Sequence, residues 1–277
     1  MRRIILVEAP DAVGLVYKTT GVFFDLALNI VSTDEFVEPK EKRFFMRAEV
    51  VGEADNQTLT DLLKQRLPEE AVVRVETKRP KNIVIMATKE SHCLGDLLIR
   101  HYAGELNANI LGVIANHETL RPLVEKFEIP FTCVPHEGLS RLDHEALVRK
   151  EIDPYEPEYI VLAKYMRVLS PEFVAAYPRR LVNIHHSFLP AFIGANPYRQ
   201  AWQRGVKVIG ATSHLVTDDL DAGPIIAQQV LPVTHSHSAR DMAMAGRDVE
   251  KITLATALKL VFEDRVMVHK NRTIIFE

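Results

Sequence analysis

Cysteine is almost missing from this 277-residue chain, with Cys93 and Cys133 alone and in unrelated apolar segments. That excludes a disulfide scaffold and a Cys-rich zinc site, suits a reducing cytoplasm, and makes both thiols expected core residues. Long apolar runs are also missing: nothing approaches the ~20 residues that span a bilayer. The opening MRRIILVEAPDAVG has two arginines but too short an apolar run for a leader, so a cytoplasmic protein with no membrane contact is expected. Neither sign of charge dominates, since 34 Lys and Arg face 37 Asp and Glu for a net charge of -3. No basic patch marks a nucleic-acid partner. Gly-x-Ser-x-Gly and His-Glu-x-x-His are both absent. Glycine is missing from Thr88-Lys89-Glu90-Ser91-His92, the first strand-to-helix turn of the larger domain described next. A phosphate cradle needs glycines there for backbone approach, so neither a nucleotide nor a sugar phosphate is expected at that turn.

What is present is ordinary globular material, 47% hydrophobic and 26% charged, long enough for two domains. The first part reads as a strand (3–8), a helix (14–28) with Leu15, Val22, Phe23, Leu26 and Ala27 at helical spacing, and two β-rich runs (30–37 and 43–51). A second amphipathic helix over Leu59, Leu62, Leu63 and Leu67 and a strand at 72–75 complete a βαββαβ order, the ferredoxin-like split unit. Residues 1–77 are thus a small domain and 78–81, with Lys78-Arg79-Pro80, a linker. From residue 82 strands at 83–87, 109–115, 131–135, 159–163 and 181–185 alternate with helices, which predicts an α/β, doubly wound, mainly parallel sheet over 82–277. The tail adds strands at 208–216 and 225–233 and a long helix over 238–262. A ligand belongs outside the carboxyl ends of such strands.

Two segments carry candidate chemistry. If 181–185 is a strand, alternation turns Asn183 and His185 to one face at its carboxyl end. A hydrogen-bonded pair of loop residues is the alternative, and the carboxyl-edge position favours a site. In His214-Leu215-Val216-Thr217-Asp218-Asp219-Leu220-Asp221-Ala222-Gly223-Pro224, three aspartates within four positions repel one another, so a buried one is expected to have a raised pKa and to serve as a base. Asp221, beside Gly223, is chosen for that role; Asp218 and Asp219 shape the turn. Ser187 is expected to be a structural hydrogen-bonding residue. His185, His186, His214, His235 and His237 supply nitrogen, yet no spacing matches a metal site, so no metal is expected.

Together, Asn183-x-His185, the following Ser187-Phe188-Leu189-Pro190, and Asp221 in Leu-Asp-x-Gly-Pro resemble the formyltransferase fold that handles 10-formyltetrahydrofolate. Asp11-x-x-Gly14-Leu15 and Asn29-Ile30 in the small domain are similar to an ACT domain. The combination resembles the formyltetrahydrofolate deformylases over essentially the whole chain. Arg43-Phe44-Phe45-Met46-Arg47, His92-Cys93-Leu94-Gly95-Asp96-Leu97, 185–194 and Ala245-Gly246-Arg247-Asp248-Val249-Glu250-Lys251 carry that likeness. The glycine-poor turn departs from the phosphoribosyl-glycinamide transformylases and favours water as the acceptor. The resemblance implies hydrolysis of the N10-formyl group, with Asn183, His185 and Asp221 catalytic: Asn183 and an N–H of His185 donate to the oxyanion, and Asp221 accepts a proton. It implies folate contacts from Met166, Arg167, Val168 and Leu169 and from His214, Val216, Thr217 and Asp218. No prosthetic group, nucleotide or metal is implied. An amino-acid effector, glycine or methionine, is implied at Asp11, Gly14, Leu15, Asn29 and Ile30, within a homo-oligomer, dimer or tetramer, assembled through ACT domains. The implied setting is one-carbon metabolism and formate supply for purine synthesis. Transfer of the formyl group to an unphosphorylated amine, or a non-catalytic folate or amino-acid sensor, are the other classes open at this point.

Overall fold

The computed structural model describes residues 1–192 and 196–277. These form two compact units, one of Met1–Arg79 with Glu263–Met267 and Ile274–Glu277, the other of Pro80–Phe262 with Val268–Thr273.

The first unit runs β1 (Arg2–Pro10), α1 (Leu15–Asp25), β2 (Asn29–Glu38), β3 (Arg43–Val51), α2 (Asn56–Arg66) and β4 (Val72–Thr77). Its four strands pair antiparallel in the order β2-β3-β1-β4, the arrangement of a split βαββαβ unit. Alternation gives β1 and β3 two faces. Ile5, Val7 and Ala9 with Phe44, Met46 and Ala48 pack against Leu15, Val22 and Phe23 of α1 and Leu59 and Leu63 of α2. Ile4, Leu6 and Phe45 belong to the other face, where Met267 and Phe276 join them in one buried cluster. On that same face of β3, Arg47 is buried and donates to the carbonyls of Asp264 and Glu263 at 3.1 and 3.0 Å. The sequence reading assigns all of 82–277 to the second domain; the structure divides its end between the units. The reason is that β1 and β3 carry buried residues on both faces while the helices cover one. β2 and β4 are the edge strands, and nearly all of β2 is exposed.

In the second unit come β5 (Lys81–Ala87), α3 (His92–Tyr102), β6 (Ala108–Ala115), α4 (Arg121–Val124), β7 (Phe131–Cys133), α5 (Arg141–Ile152), β8 (Tyr159–Leu162), α6 (Pro171–Ala176), β9 (Leu181–His185), α7 (Pro197–Arg204), β10 (Val208–Leu215), β11 (Ile225–Pro232) and α8 (Ala239–Phe262). A hairpin of β12 (Val266–His269) and β13 (Arg272–Ile275) follows. The sheet order is β11-β10-β9-β8-β5-β6-β7, parallel from β9 through β7, with β10 antiparallel to both its neighbours. Val84, Met86, Ile160 and Leu162 bury one face of the sheet against Val148 and Ile152 of α5 and Phe173 of α6. Ser140 and Ser170 fix the starts of α5 and α6 by accepting from the amides of Asp143 and Phe173. Strands β5, β6 and β7 are laid outward in one direction, and β8 returns to the other side of β5. That reversal opens a crevice at the carboxyl ends of β5 and β8. Among the described residues, no helix is long and apolar enough to cross a membrane.

Candidate active site

A cavity of about 650 Å³ occupies the carboxyl edge of this sheet, a volume suited to a small organic molecule. Strand β9 delivers Asn183 and His185, two residues apart and therefore on one face, to its wall. Strand β10 runs antiparallel beside it, with Asn183 opposite His214 and His185 opposite Thr212. His214 is buried, and its Nδ1 lies 2.9 Å from the Leu215 carbonyl, which it can only meet as a donor. With its Nδ1–H on that carbonyl, the ring turns Nε2 to the Asn183 Nδ2–H at 3.2 Å. One N–H of Asn183 is held in this way and the other is left for a ligand.

Asp221 stands in the loop between β10 and β11, at a positive φ of 54°. Gly223 lets that loop close on β10: a Cβ there would fall 1.8 Å from the Leu215 carbonyl oxygen. Asp221 Oδ2 lies 3.2 Å from His185 Nδ1, and Oδ1 lies 3.7 Å from His214 Nε2. Burial opposes charge on this carboxyl, but the hydrogen bond from His185 and the closeness of the His214 ring outweigh it and hold its pKa well below the usual carboxylate range. This corrects the expectation of a raised pKa. Asp218 and Asp219 are exposed, so water screens their repulsion while two imidazoles face Asp221 directly. Asp221 is thus held as an anion against His185 Nδ1. The atom of His185 turned away from it, Nε2, is buried with no hydrogen-bond partner among the described residues.

The segment after β8 supplies another wall. Lys164 adopts a positive φ of 62°, Met166 donates its amide to Thr88 Oγ1 at 2.9 Å, and Met166, Arg167, Val168 and Leu169 line the cavity. Val216, Thr217 and Asp218 line it from the far side, as does His214. The structure therefore brings Asn183, His185, Asp221 and the expected folate-contacting positions around one space. His235 and His237 do not line it; His237 instead accepts from the Thr234 amide. Ser187 is buried with its hydroxyl lacking a partner among the described residues, while its carbonyl accepts from Thr212. Ile193 and Gly194, part of the string that carried the family likeness, lie outside the described residues. In the first unit, Asp11, Gly14, Asn29 and Ile30 are exposed, whereas Leu15 is buried in its core.

Sequence reading missed a second polar group on the cavity wall. Glu250 of α8, 1% exposed, gathers Tyr198 Oη at 2.6 Å, His92 Nε2 at 2.8 Å and Lys164 Nζ at 3.1 Å. A signal was available: Glu250 falls between Gly246 and Leu254 at four-residue spacing, on the apolar stripe of α8. Of the groups with metal-ligand spacing among the described residues, His92, Cys93 and Glu250 form one. The Lys164 ammonium already sits against the Glu250 oxygen that His92 touches, and burial pushes the Cys93 thiol up, which disfavours the thiolate a metal would need. His117, His136 and Glu137 form the other, and neither contains a histidine that the sequence offered as a ligand.

Known proteins resemble this chain along its whole length. The profile of the formyl transferase family matches residues 81–258. A Haemophilus influenzae protein named formyltetrahydrofolate deformylase is 53% identical over 274 residues, covering 99% of each chain. The crystal structure of a formyltetrahydrofolate deformylase from Pseudomonas syringae pv. tomato superposes with a TM-score of 0.96 at 39% identity, over 100% of this chain and 95% of that one. A glycinamide ribonucleotide transformylase from Symbiobacterium toebii superposes with a TM-score of 0.69 at 27% identity, over 73% of this chain and 97% of its own.

Proposed function

This chain belongs to the formyl transferase family and, within it, to the formyltetrahydrofolate deformylases, and from that membership we propose that it hydrolyses 10-formyltetrahydrofolate to formate and tetrahydrofolate. The observation that carries the reading is the Asn183–His185–Asp221 constellation at the cavity wall, with His185 Nε2 unpartnered among the described residues. His185 donates Nδ1–H to Asp221, so Nε2 carries a lone pair and takes a proton from water as the water oxygen bonds to the formyl carbon. The Asp221 carboxylate stabilises the imidazolium so formed, as an ordinary base–orienter pair does. The remaining N–H of Asn183 donates to the oxyanion on the formyl carbon. When that carbon–nitrogen bond breaks, His185 Nε2–H returns its proton to N10, and formate leaves. The residues after β8 and those at 216–218 hold the pterin and its extension, and no prosthetic group or metal takes part.

The first unit, residues 1–77 in this reading with 78–81 as linker, is an ACT-like regulatory module. Its βαββαβ order and the open β2 edge support this, because an unpaired edge invites a second copy. The protein is then a homo-oligomer, dimer or tetramer, whose exposed Asp11, Gly14, Asn29 and Ile30 face an amino acid between subunits, with glycine and methionine the ligands to try. An effector alters activity only if it binds two states unequally. The catalytic output, formate and free tetrahydrofolate, fits a role in balancing one-carbon pools and supplying purine synthesis in the cytoplasm. Formate release from 10-formyltetrahydrofolate with no amine present is the test of the activity. Turnover that appears only with an added amine refutes hydrolysis. For the module, calorimetric titration with glycine and methionine beside a sizing measurement is the check, and a monomer that binds neither refutes it.

A further inference from the structure

The half of the cavity opposite the proposed folate contacts has a charge arrangement that the mechanism above leaves unused. Four segments converge there: the turn before α3 with Glu90, the turn after β8 with Lys164, α7 with Tyr198, and α8 with Arg247 and Glu250, behind which His92 of α3 hydrogen-bonds to Glu250. Both cations on this side lie against carboxylates. Lys164 Nζ is 3.1 Å from Glu250, and Arg247 Nε is 3.9 Å from Glu90. Burial penalises the Glu250 charge, but the His92 hydrogen bond and the Lys164 charge hold its pKa at about 2, so it remains an anion. An incoming phosphate would meet two carboxylates and cations already engaged by them.

Between this network and His185 lies His186. Its ring stacks on His185 with centroids 5.0 Å apart and planes at 23°, and lies 6.3 Å from the Tyr198 ring. Among the described residues no side chain or backbone group hydrogen-bonds to it, yet it lines the cavity. Burial and the neighbouring Lys164 lower its pKa to about 4, so at neutral pH it carries one N–H and one lone pair. A water molecule beside it finds one acceptor and one donor on a single rigid ring, next to the Nε2 that is to receive its proton.

Resting on the hydrolytic reading above, we propose that this half of the cavity is an acceptor subsite built for water, in which His186 is a catalytic residue that holds the attacking water against His185. Glu250 is the positioning residue behind it: it ties Tyr198, His92 and Lys164 together and cancels the cation that a phosphorylated acceptor would use. Replacing these groups makes room and charge for other nucleophiles.

The test reads where the formyl group goes in the full-length protein when hydroxylamine competes with water. Transfer to hydroxylamine forms the new carbon–nitrogen bond, breaks the bond to N10, and passes the hydroxylamine proton to N10, so formohydroxamate and formate are counted side by side. Wild-type protein is expected to give formate with only a small, measurable fraction of formohydroxamate. His186→Ala is expected to lower formate turnover at least tenfold, leave KM for the folate within threefold, and raise the formohydroxamate fraction at least fivefold. His186→Gln, whose amide keeps a donor and an acceptor, recovers part of the rate and most of the preference for water. Glu250→Gln becomes sensitive to inorganic phosphate, which leaves the wild type uninhibited. Tyr198→Phe removes one hydrogen bond without emptying space, so it carries the test if His186→Ala fails to fold, and its formohydroxamate fraction is expected to double. Wild-type partition and turnover in folded His186→Ala, or an unchanged partition in Tyr198→Phe, overturns the proposal. A wild type that releases no formate at all strikes the hydrolytic reading instead.

Discussion

In the proposed mechanism Asp221 and His185 divide one task, since the carboxylate 3.2 Å from Nδ1 fixes the ring and the ring handles the proton. Asp221→Asn and His185→Ala are each expected to lower kcat by several orders of magnitude while folate binding stays within a few-fold, because both contributions arise in the transition state. Single-turnover kinetics paired with equilibrium folate binding checks this. Asn183→Ala is expected to lose ~10²–10³ in kcat, the range for one oxyanion donor. Titration adds a second residue-scale consequence. Burial and then Lys164 depress the His186 pKa to about 4, against ~6.5 for a free histidine. The unfolded chain binds that proton first, so stability tied to neutral His186 is complete above ~6.5 and is lost as pH falls towards about 4. Glu250 is depressed in the same sense, its stability present above ~4.3 and lost as pH falls through about 2. Urea midpoints measured against pH are expected to flatten in the upper window for His186→Gln and in the lower one for Glu250→Gln.

Among the elements, α8 carries the most instructive close approach. A Cβ on Gly246 would lie 2.1 Å from the Tyr198 hydroxyl and 2.2 Å from its ring carbon. Gly246 is thus the reason that α7 and α8 can bring Tyr198 onto Glu250. Gly246→Ala is expected to displace that ring, cost ~1–3 kcal/mol as an overpacked contact, and lower the melting temperature together with turnover. Legibility differed by element for physical reasons. Strand β9 matched its expected span because five residues of alternation suffice to mark a strand end, and so Asn183 and His185 were visible as a pair. His214 was not visible as the partner of Asn183, because that needs the antiparallel pairing of β10, which no local pattern encodes. The polar α7 buries only Pro197 and Ala201, four residues apart, and over eight residues that single pair is too short a stripe to stand out. The Glu250 group was hidden because its members come from four separate segments, although the carboxylate on an apolar helix stripe was a legible anomaly. The hairpin of β12 and β13 alternates around Lys270-Asn271 and was open to detection.

At the scale of the whole molecule, the division into units decides how the chain can be cut. A truncation at residue 79 that keeps 80–277 removes Ile4, Leu6 and Phe45 and so leaves Met267 and Phe276 without the cluster that buries them. This version is expected to bind a hydrophobic dye and aggregate, whereas a chain of residues 80–262 is expected to be better behaved. Static light scattering of the two distinguishes them; equal solubility contradicts the assignment of the tail to the first unit's core. The same fact bears on any attempt to separate an effector response from catalysis by deleting residues 1–78. Such a deletion also strips a core, so point changes at the exposed Asp11 or Asn29 are the cleaner probe.

Synthesis on the ribosome gives the buried Arg47 and its two distant carbonyl partners a further meaning. Residues 1–79 emerge first, but Arg47 has no Glu263 or Asp264 to donate to, and Ile4, Leu6 and Phe45 have no Met267 or Phe276 above them, until the far end of the chain is made. The first unit is therefore finished only after the second has been made, an inversion of the usual order in which domains fold as they appear. Nascent chains arrested anywhere within residues 80–262 expose one greasy face of the first sheet, the surface that chaperones and proteases recognise. The C-terminal segment thus closes a core whose other half is made more than two hundred residues earlier.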